Sequence, residues 1–219
     1  MSGSDRFAGP PDVPSGVLAV VERTLRAAPR LGPVRLVCVD GPAGSGKTTT
    51  AALVADVLAR GGTGVEVVHL DDLYDGWRGL EGTLWPRVTA QLLEPLRRGR
   101  PGRFQRYDWA AGTFTRWIDV PVAPVLVLEG CGAARREVDP VASLRVWVAA
   151  PDDVRLARGL ARDGEAERDH WAAWMADERE HFRRERTRER ADLWLDGSGR
   201  LARPDPGADG PARRPTGLA

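Results

Sequence analysis

Gly41-Pro42-Ala43-Gly44-Ser45-Gly46-Lys47-Thr48 decides the fold of this 219-residue chain. It follows the apolar run Val34-Arg35-Leu36-Val37-Cys38-Val39-Asp40, the composition of a strand buried on both faces of a parallel sheet. It precedes Thr48 to Arg60, an Ala/Leu/Val-rich segment that reads as a helix and stops at Gly61-Gly62. Strand, glycine loop and helix with the spacing G-x-x-x-x-G-K-[ST] form the phosphate-binding P-loop pattern. The glycines let the backbone turn so that successive N–H groups converge on an anion, backed by the helix N-terminus. Gly41, Ala43, Gly44, Ser45, Gly46 and Thr49 are therefore expected to cradle the phosphates of ATP. Lys47 is expected to reach the β- and γ-phosphates, and the Thr48 hydroxyl to hold Mg²⁺.

Composition singles out the same residue. Of 32 basic side chains, 31 are arginine, and the one lysine is Lys47. A compact ammonium on a flexible stem fits between phosphate oxygens that a planar guanidinium would overfill. The formal net charge is only +1, so no global field argues for nucleic acid or an anionic membrane. No apolar stretch approaches the roughly 18 residues of a spanning helix. The two cysteines, Cys38 and Cys131, sit in or beside apolar runs and read as small buried hydrophobes rather than a disulfide or metal pair. A cytoplasmic protein is expected. The acceptor is expected to be a small molecule, and the oligomeric state, a homo-oligomer included, is left open.

Beyond the loop, strands alternate with helices. Helix 15–28 leads into strand 34–40, followed by helix 47–60, strand 64–70, a helix around 84–98, strands 124–129 and 143–149, helices 152–163 and 166–186, and strand 191–195. This alternation predicts an α/β fold, a doubly wound, mostly parallel sheet of five strands. Between Gly102 and Asp119 aromatic and polar residues alternate around Ala-Ala-Gly, the pattern of a small antiparallel hairpin. Residues 1–14 read as a flexible lead-in, 15–197 as one domain, and 198–219 as a disordered tail too poor in large apolar residues to offset ordering.

Ligands in such sheets bind at the carboxyl ends of the strands. Asp40, Asp71, Asp72 and Glu129 all lie there. A kinase needs a base for the acceptor hydroxyl and a carboxylate for Mg²⁺. Asp71 is assigned as the base and Glu129 as the metal or acceptor-orienting carboxylate, with exchange of the two roles open. Asp72 reads as a solvated loop acid, and Asp40 is undecided.

Asp71-Asp-Leu-Tyr74, Tyr107-Asp-Trp109, Leu128-Glu-Gly130, Asp153-Val-Arg155-Leu-Ala-Arg158 with Arg162-Asp163, and Ala191-Asp192 occur in that order after the loop. In order and spacing the chain resembles the uridine kinase branch of the P-loop kinases, with its phosphoribulokinase-like and pantothenate kinase-like relatives, from about Val34 to Gly197. The resemblance implies that Asp71 is the catalytic base and that Tyr74 and the hairpin, with Arg106, Tyr107, Asp108 and Trp109, contact a nucleoside-like acceptor. It also implies that Arg155, Arg158 and Arg162 belong to a lid closing over ATP. The chain departs from the family where Gly112 stands for a base-reading histidine. Only Asp75 and Glu81 offer themselves for a ribose-binding acid, and the loop opens Gly41-Pro42-Ala43. These departures weigh against uridine more than against phosphotransfer.

Several features admit two readings. Trp77, Trp85, Trp109 and Trp117 suit either a stacking surface or the core. Trp171, Trp174, Met175, Glu178 and Phe182 lie along one stripe of a helix and read as packing. His69, His170 and His181 are unclustered, and none is assigned to a metal. Arg183 to Arg190 reads as a self-neutralising exposed segment. The chain has no asparagine and hence no Asn-Lys-x-Asp guanine reader. Glu129 lacks an adjacent acid, unlike an AAA-type motor. A non-catalytic ATP-binding protein could lack the base, yet Asp71 is present. A nucleoside monophosphate kinase is the nearest rival and would aim arginines such as Arg78, Arg106 or Arg116 at the acceptor's phosphate.

Overall fold

A computed structural model describes residues 13–203. The central sheet has five strands, β1 (Arg35–Asp40), β2 (Val65–His69), β5 (Val125–Glu129), β6 (Ala142–Ala149) and β7 (Leu193–Asp196). Between β2 and β5 in the chain come β3 (Gly102–Asp108) and β4 (Thr113–Val120), which form a separate antiparallel hairpin. The sheet order is β2-β5-β1-β6-β7, and every pairing in it is parallel.

The core follows from the two-residue strand period. Leu36, Cys38, Leu126 and Leu128 point to one face, and Val37, Val39, Val125 and Val127 to the other. On the second face pack α1 (Ser15–Arg26) and α2 (Lys47–Arg60), through Val17, Val20, Ala51, Val54 and Leu58. The first face is covered by α3 (Leu84–Val88), α4 (Glu94–Arg97) and the segment between them. The expected single helix over 84–98 is thus interrupted by a π-helical stretch at Thr89–Leu93. Helices α5 (Asp152–Asp163), α6 (Arg168–Glu185) and α7 (Thr187–Arg190) complete the chain. No helix among the described residues is long and apolar enough to cross a membrane.

Residues 1–12 and 204–219 lie outside the described residues, so the expectations for the lead-in and tail extend beyond them. The boundary set at 198 is corrected. Asp196 accepts hydrogen bonds from the N–H groups of Ser198 and Arg200, and Leu201 bridges back to Leu195. Gly199 packs against Pro14 and Val17, which joins the ends of the domain.

Candidate active site

The loop after β1 has the geometry its sequence demands. Gly44 and Gly46 have φ of 75° and 103°, a region closed to most side chains. A Cβ on Gly46 would stand 2.8 Å from the Gly197 carbonyl oxygen, and one on Gly44 2.6 Å from that of Arg155. Helix α2 starts at Lys47 without a side-chain cap, so the first-turn N–H groups are left for an anion. The Ser45 hydroxyl is buried there with no hydrogen-bond partner among the described residues. These features fit the phosphates of ATP.

Lys47 is buried, and its Nζ donates to the Pro42 carbonyl at 2.8 Å. Burial pushes its pKa down, but Cys131, Glu129, Glu178 and Asp71 outweigh burial and the net shift is upward. Thr48 Oγ1 donates to Glu129 Oε1 at 3.2 Å. The other Glu129 oxygen meets His69 Nδ1 at 2.7 Å, which raises the histidine pKa. A hydroxyl and a carboxylate at one point are hard oxygen donors that suit Mg²⁺, an ion that takes one or two carboxylates and completes its shell with waters and phosphates. His69 was not expected at the site. Its position at the end of β2, level with Glu129 in the β2–β5 register, could only have been read once the strand order was known.

Asp71 follows β2 and opens onto a cavity of about 520 Å³. Although its side chain is exposed to that cavity, protein surrounds it. Desolvation, with the nearby Glu129 charge, raises its pKa, against the opposing pull of Lys47 and Arg162. Asp72 turns out to be more than a solvated acid: its Oδ1 accepts from Arg106 Nε at 2.8 Å and ties the hairpin to the sheet. Trp109 Nε1 donates to the Asp71 carbonyl at 3.0 Å and makes a second tie. Asp40 is settled as structural. Fully buried, it accepts from the N–H groups of Gly41, Gly132 and Ala134.

Other assignments need correction. Arg155 is buried beneath the loop and does not face the cavity: it bonds the Ala43 carbonyl at 2.9 Å, Glu178 at 2.6 Å and Asp152 at 2.6 Å. The Ala43 N–H donates to Glu178 Oε2 at 2.7 Å, so that donor is already engaged. Asp108 accepts from the N–H groups of Ala110 and Ala111 and builds the hairpin turn. Tyr107 packs edge-on against Trp109 and Phe114, and neither Tyr107 nor Asp108 lines the cavity. Tyr74 does line it, with its hydroxyl on the Cys131 carbonyl at 2.8 Å. Trp85 is core, and Trp117 lies exposed under Arg103. Glu81 is held by His181 and Arg184 away from the cavity.

Glu178 is the loop-supporting residue that the helix stripe conceals. It carries Ala43, Arg155 and the Trp174 indole N–H at 3.1 Å. An acid on the apolar stripe of α6 was the available signal.

A second cleft of about 380 Å³ is lined by Gly44, Gly46, Lys47, Thr48, Thr49, Arg158 and Arg162, among others. The two cavities share Gly44, Lys47, Thr48, Arg162 and Trp171, so a loop-side compartment and a hairpin-side compartment meet at one lysine and one arginine.

No protein-family model matches the chain. Among solved structures, it is similar to a possible uridine kinase from Bacillus stearothermophilus, with a TM-score of 0.58 and 22% identity over 83% of this chain and 97% of that one. It is likewise similar to a candidate fructose transport system kinase from Silicibacter sp. TM1040, with a TM-score of 0.59 and 23% identity over 82% and 97%. The fold is that of a P-loop kinase. At this identity the likeness carries the fold alone. In sequence the chain is 26% identical over 156 residues to inorganic pyrophosphatase TTM1 of Arabidopsis thaliana and 28% identical over 156 residues to TTM2. Those stretches cover 68% of this chain but 24% and 23% of the relatives, so the chain spans about a quarter of their length.

Proposed function

We propose that this protein transfers the γ-phosphoryl group of ATP to a hydroxyl of a small, nucleoside-like molecule that carries no phosphate of its own. The observation that supports this most is the meeting of the two compartments at Lys47, Thr48 and Arg162, with Asp71 on the hairpin side. In this reading Gly44 to Thr49 and Lys47 would hold the phosphates, and Thr48 with Glu129 would hold Mg²⁺. Bound there, Mg²⁺ and ATP supply the transferable phosphoryl group and part of the neutralising charge. Asp71 takes the proton from the acceptor hydroxyl. Its raised pKa suits a base, because it then binds that proton more firmly than an ordinary carboxylate. Arg158 donates to the Gly44 carbonyl at 3.1 Å and Arg162 lines both clefts, so in this reading Arg158, and Arg162 with its charge shared by Asp163, would bring positive charge to the ATP phosphates.

The way the arginines are used supports an acceptor without a phosphate. Arg106 is paired with Asp72, and Arg162 with Asp163 at 2.7 Å. Arg78 and Arg116 do not line the cavity. A monophosphate acceptor would need guanidinium groups not already matched by carboxylates. The test is a thermal-shift panel of nucleosides against nucleoside monophosphates with a non-hydrolysable ATP analogue, followed by ADP release from ATP and Mg²⁺ with each binder. Stabilisation by nucleosides or other unphosphorylated alcohols, with ADP release, is expected. Stabilisation by monophosphates alone would favour the rival kinase, and ATP binding without acceptor-dependent ADP release would favour a non-catalytic protein.

A further inference from the structure

The hairpin-side cavity has a wall of tryptophan. Trp77, Trp109, Trp171 and Trp174 all line it, and Trp77 meets each of the other three edge-on at centroid distances of 5.6, 6.5 and 6.1 Å. Three of the four indole N–H groups are used by the protein: Trp109 on the Asp71 carbonyl, Trp171 on Asp163 at 2.9 Å and Trp174 on Glu178 at 3.1 Å. Trp171 and Trp174 are buried, so what the wall offers a ligand is the π-surface of the exposed Trp109 and the half-buried Trp77, whose quadrupole is negative on the face.

The charge in the cavity has the same sign. Five carboxylates line it against three basic side chains; Asp72 and Asp163 are matched by Arg106 and Arg162, and Glu129 would belong to the Mg²⁺ site, which leaves Asp71 and Glu167. Lys47 belongs to the phosphate side. Glu167 lines the cavity too, and its Oε2 lies 2.7 Å from His170 Nδ1, while the imidazole stacks on Trp77 at 5.4 Å with the rings 27° apart. The protein thus already sets a nitrogen ring on this tryptophan, bonded to this carboxylate. With that face of Trp77 taken by His170, a cationic ligand ring would lie against the exposed Trp109 and share the Glu167 carboxylate with His170, gaining from both an indole face and the acid.

We propose that the acceptor is an alcohol bearing a positively charged nitrogen, bound with that nitrogen against the tryptophan wall and Glu167. This deepens the phosphotransfer reading and rests on it for the word acceptor. The carboxylates and aromatic faces select the charge, and Asp71, which lines the same cavity, receives the hydroxyl.

Two probes of one shape isolate the charge: 3-hydroxymethyl-1-methylpyridinium and its neutral isostere 3-methylbenzyl alcohol. Their binding is measured by calorimetry on the full chain with a non-hydrolysable ATP analogue and Mg²⁺. The cation is expected to bind about tenfold more tightly, and Glu167→Gln, checked by its melting curve, is expected to remove much of that preference while leaving the neutral probe's affinity unchanged. Equal affinity, a preference for the neutral ring, or no binding of the cation in the millimolar range overturns the proposal. A preference for the cation that Glu167→Gln leaves intact overturns the placement at Glu167. ADP release is then measured with ATP. Tight cation binding without ADP release leaves the ligand class standing and counts against phosphotransfer, whereas ADP release with neutral alcohols alone does the reverse.

Discussion

The two halves of the site are built by different means. The proposed phosphate side is one continuous stretch, Gly41 to Thr49, in which backbone torsions and a helix terminus would do the binding. The acceptor side gathers side chains from the turn after β2, the hairpin, and helices α5 and α6, joined by the Arg106–Asp72 pair and the Trp109–Asp71 hydrogen bond. Backbone chemistry is the same for every phosphate, so the first half is dictated by spacing. The second half depends on which side chains meet, and so can differ between chains of one fold.

The largest expected effect falls on the phosphate side. Lys47→Ala should abolish ADP formation while the melting curve stays cooperative, because the loop's torsions come from its glycines. Lys47→Arg should also be severely impaired, since the guanidinium is too wide for the cradle; near-normal turnover in that variant would remove the explanation for the single lysine. Where the two halves meet, Asp71→Asn should lower kcat by about 10²-fold or more with ATP affinity similar. Because only the ionised carboxylate accepts a proton, wild-type activity should fall as pH drops through the raised pKa of Asp71, with the acid limb displaced upward from that of an ordinary aspartate. Collapse of Mg²⁺–ATP affinity with kcat intact would exchange the roles of Asp71 and Glu129.

Beneath the loop, Arg155 and Glu178 are both nearly inaccessible. Removing one partner strands the other, so Arg155→Met should destabilise the fold by about 3–5 kcal/mol in urea unfolding. On the acceptor side, Trp109→Ala should raise the acceptor KM by about tenfold with ATP KM nearly unchanged, since a ring contact contributes on the order of 1 kcal/mol. An equal rise in ATP KM would show that the halves are not separable.

The smallest effect is pH-dependent. The folded pKa of His69 is raised above its ordinary 6.5 by its hydrogen bond to Glu129. Stability from this pair is therefore fully present below pH 6.5 and lost as pH rises through the raised value. His69→Gln should lower the melting temperature more at pH 6 than at pH 9; a uniform loss would mean that the charge of His69 contributes nothing.

The same contrast governs what the sequence made legible. The strands and most helices were readable because runs such as Val125 to Glu129 are apolar throughout, and the loop because its spacing is a backbone requirement. The break at Thr89–Leu93 was not readable, since a π-helical turn leaves the apolar pattern of its helix almost unchanged. At the candidate site, Lys47 and Thr48 are read from the loop's spacing, and Asp71 and Glu129 from strand ends. The resemblance assigns Arg155 to the ATP lid, but a matched motif does not say whether that side chain is buried, as Arg155 is. Asp108 was assigned to the acceptor because an aspartate that builds its own turn looks, in sequence, like one offered to a ligand. His69 and Glu178 act through contacts 60 and 135 residues away, beyond the reach of any local pattern.

The most direct test of the account is phosphorus NMR of ATP and Mg²⁺ incubated with the protein and a pool of unphosphorylated, ring-bearing alcohols, cationic and neutral. ADP is expected together with a new phosphate monoester, both dependent on the alcohol and both lost in Asp71→Asn. Orthophosphate released at the same rate with and without the alcohols, or cleavage of added pyrophosphate in their absence, would contradict it.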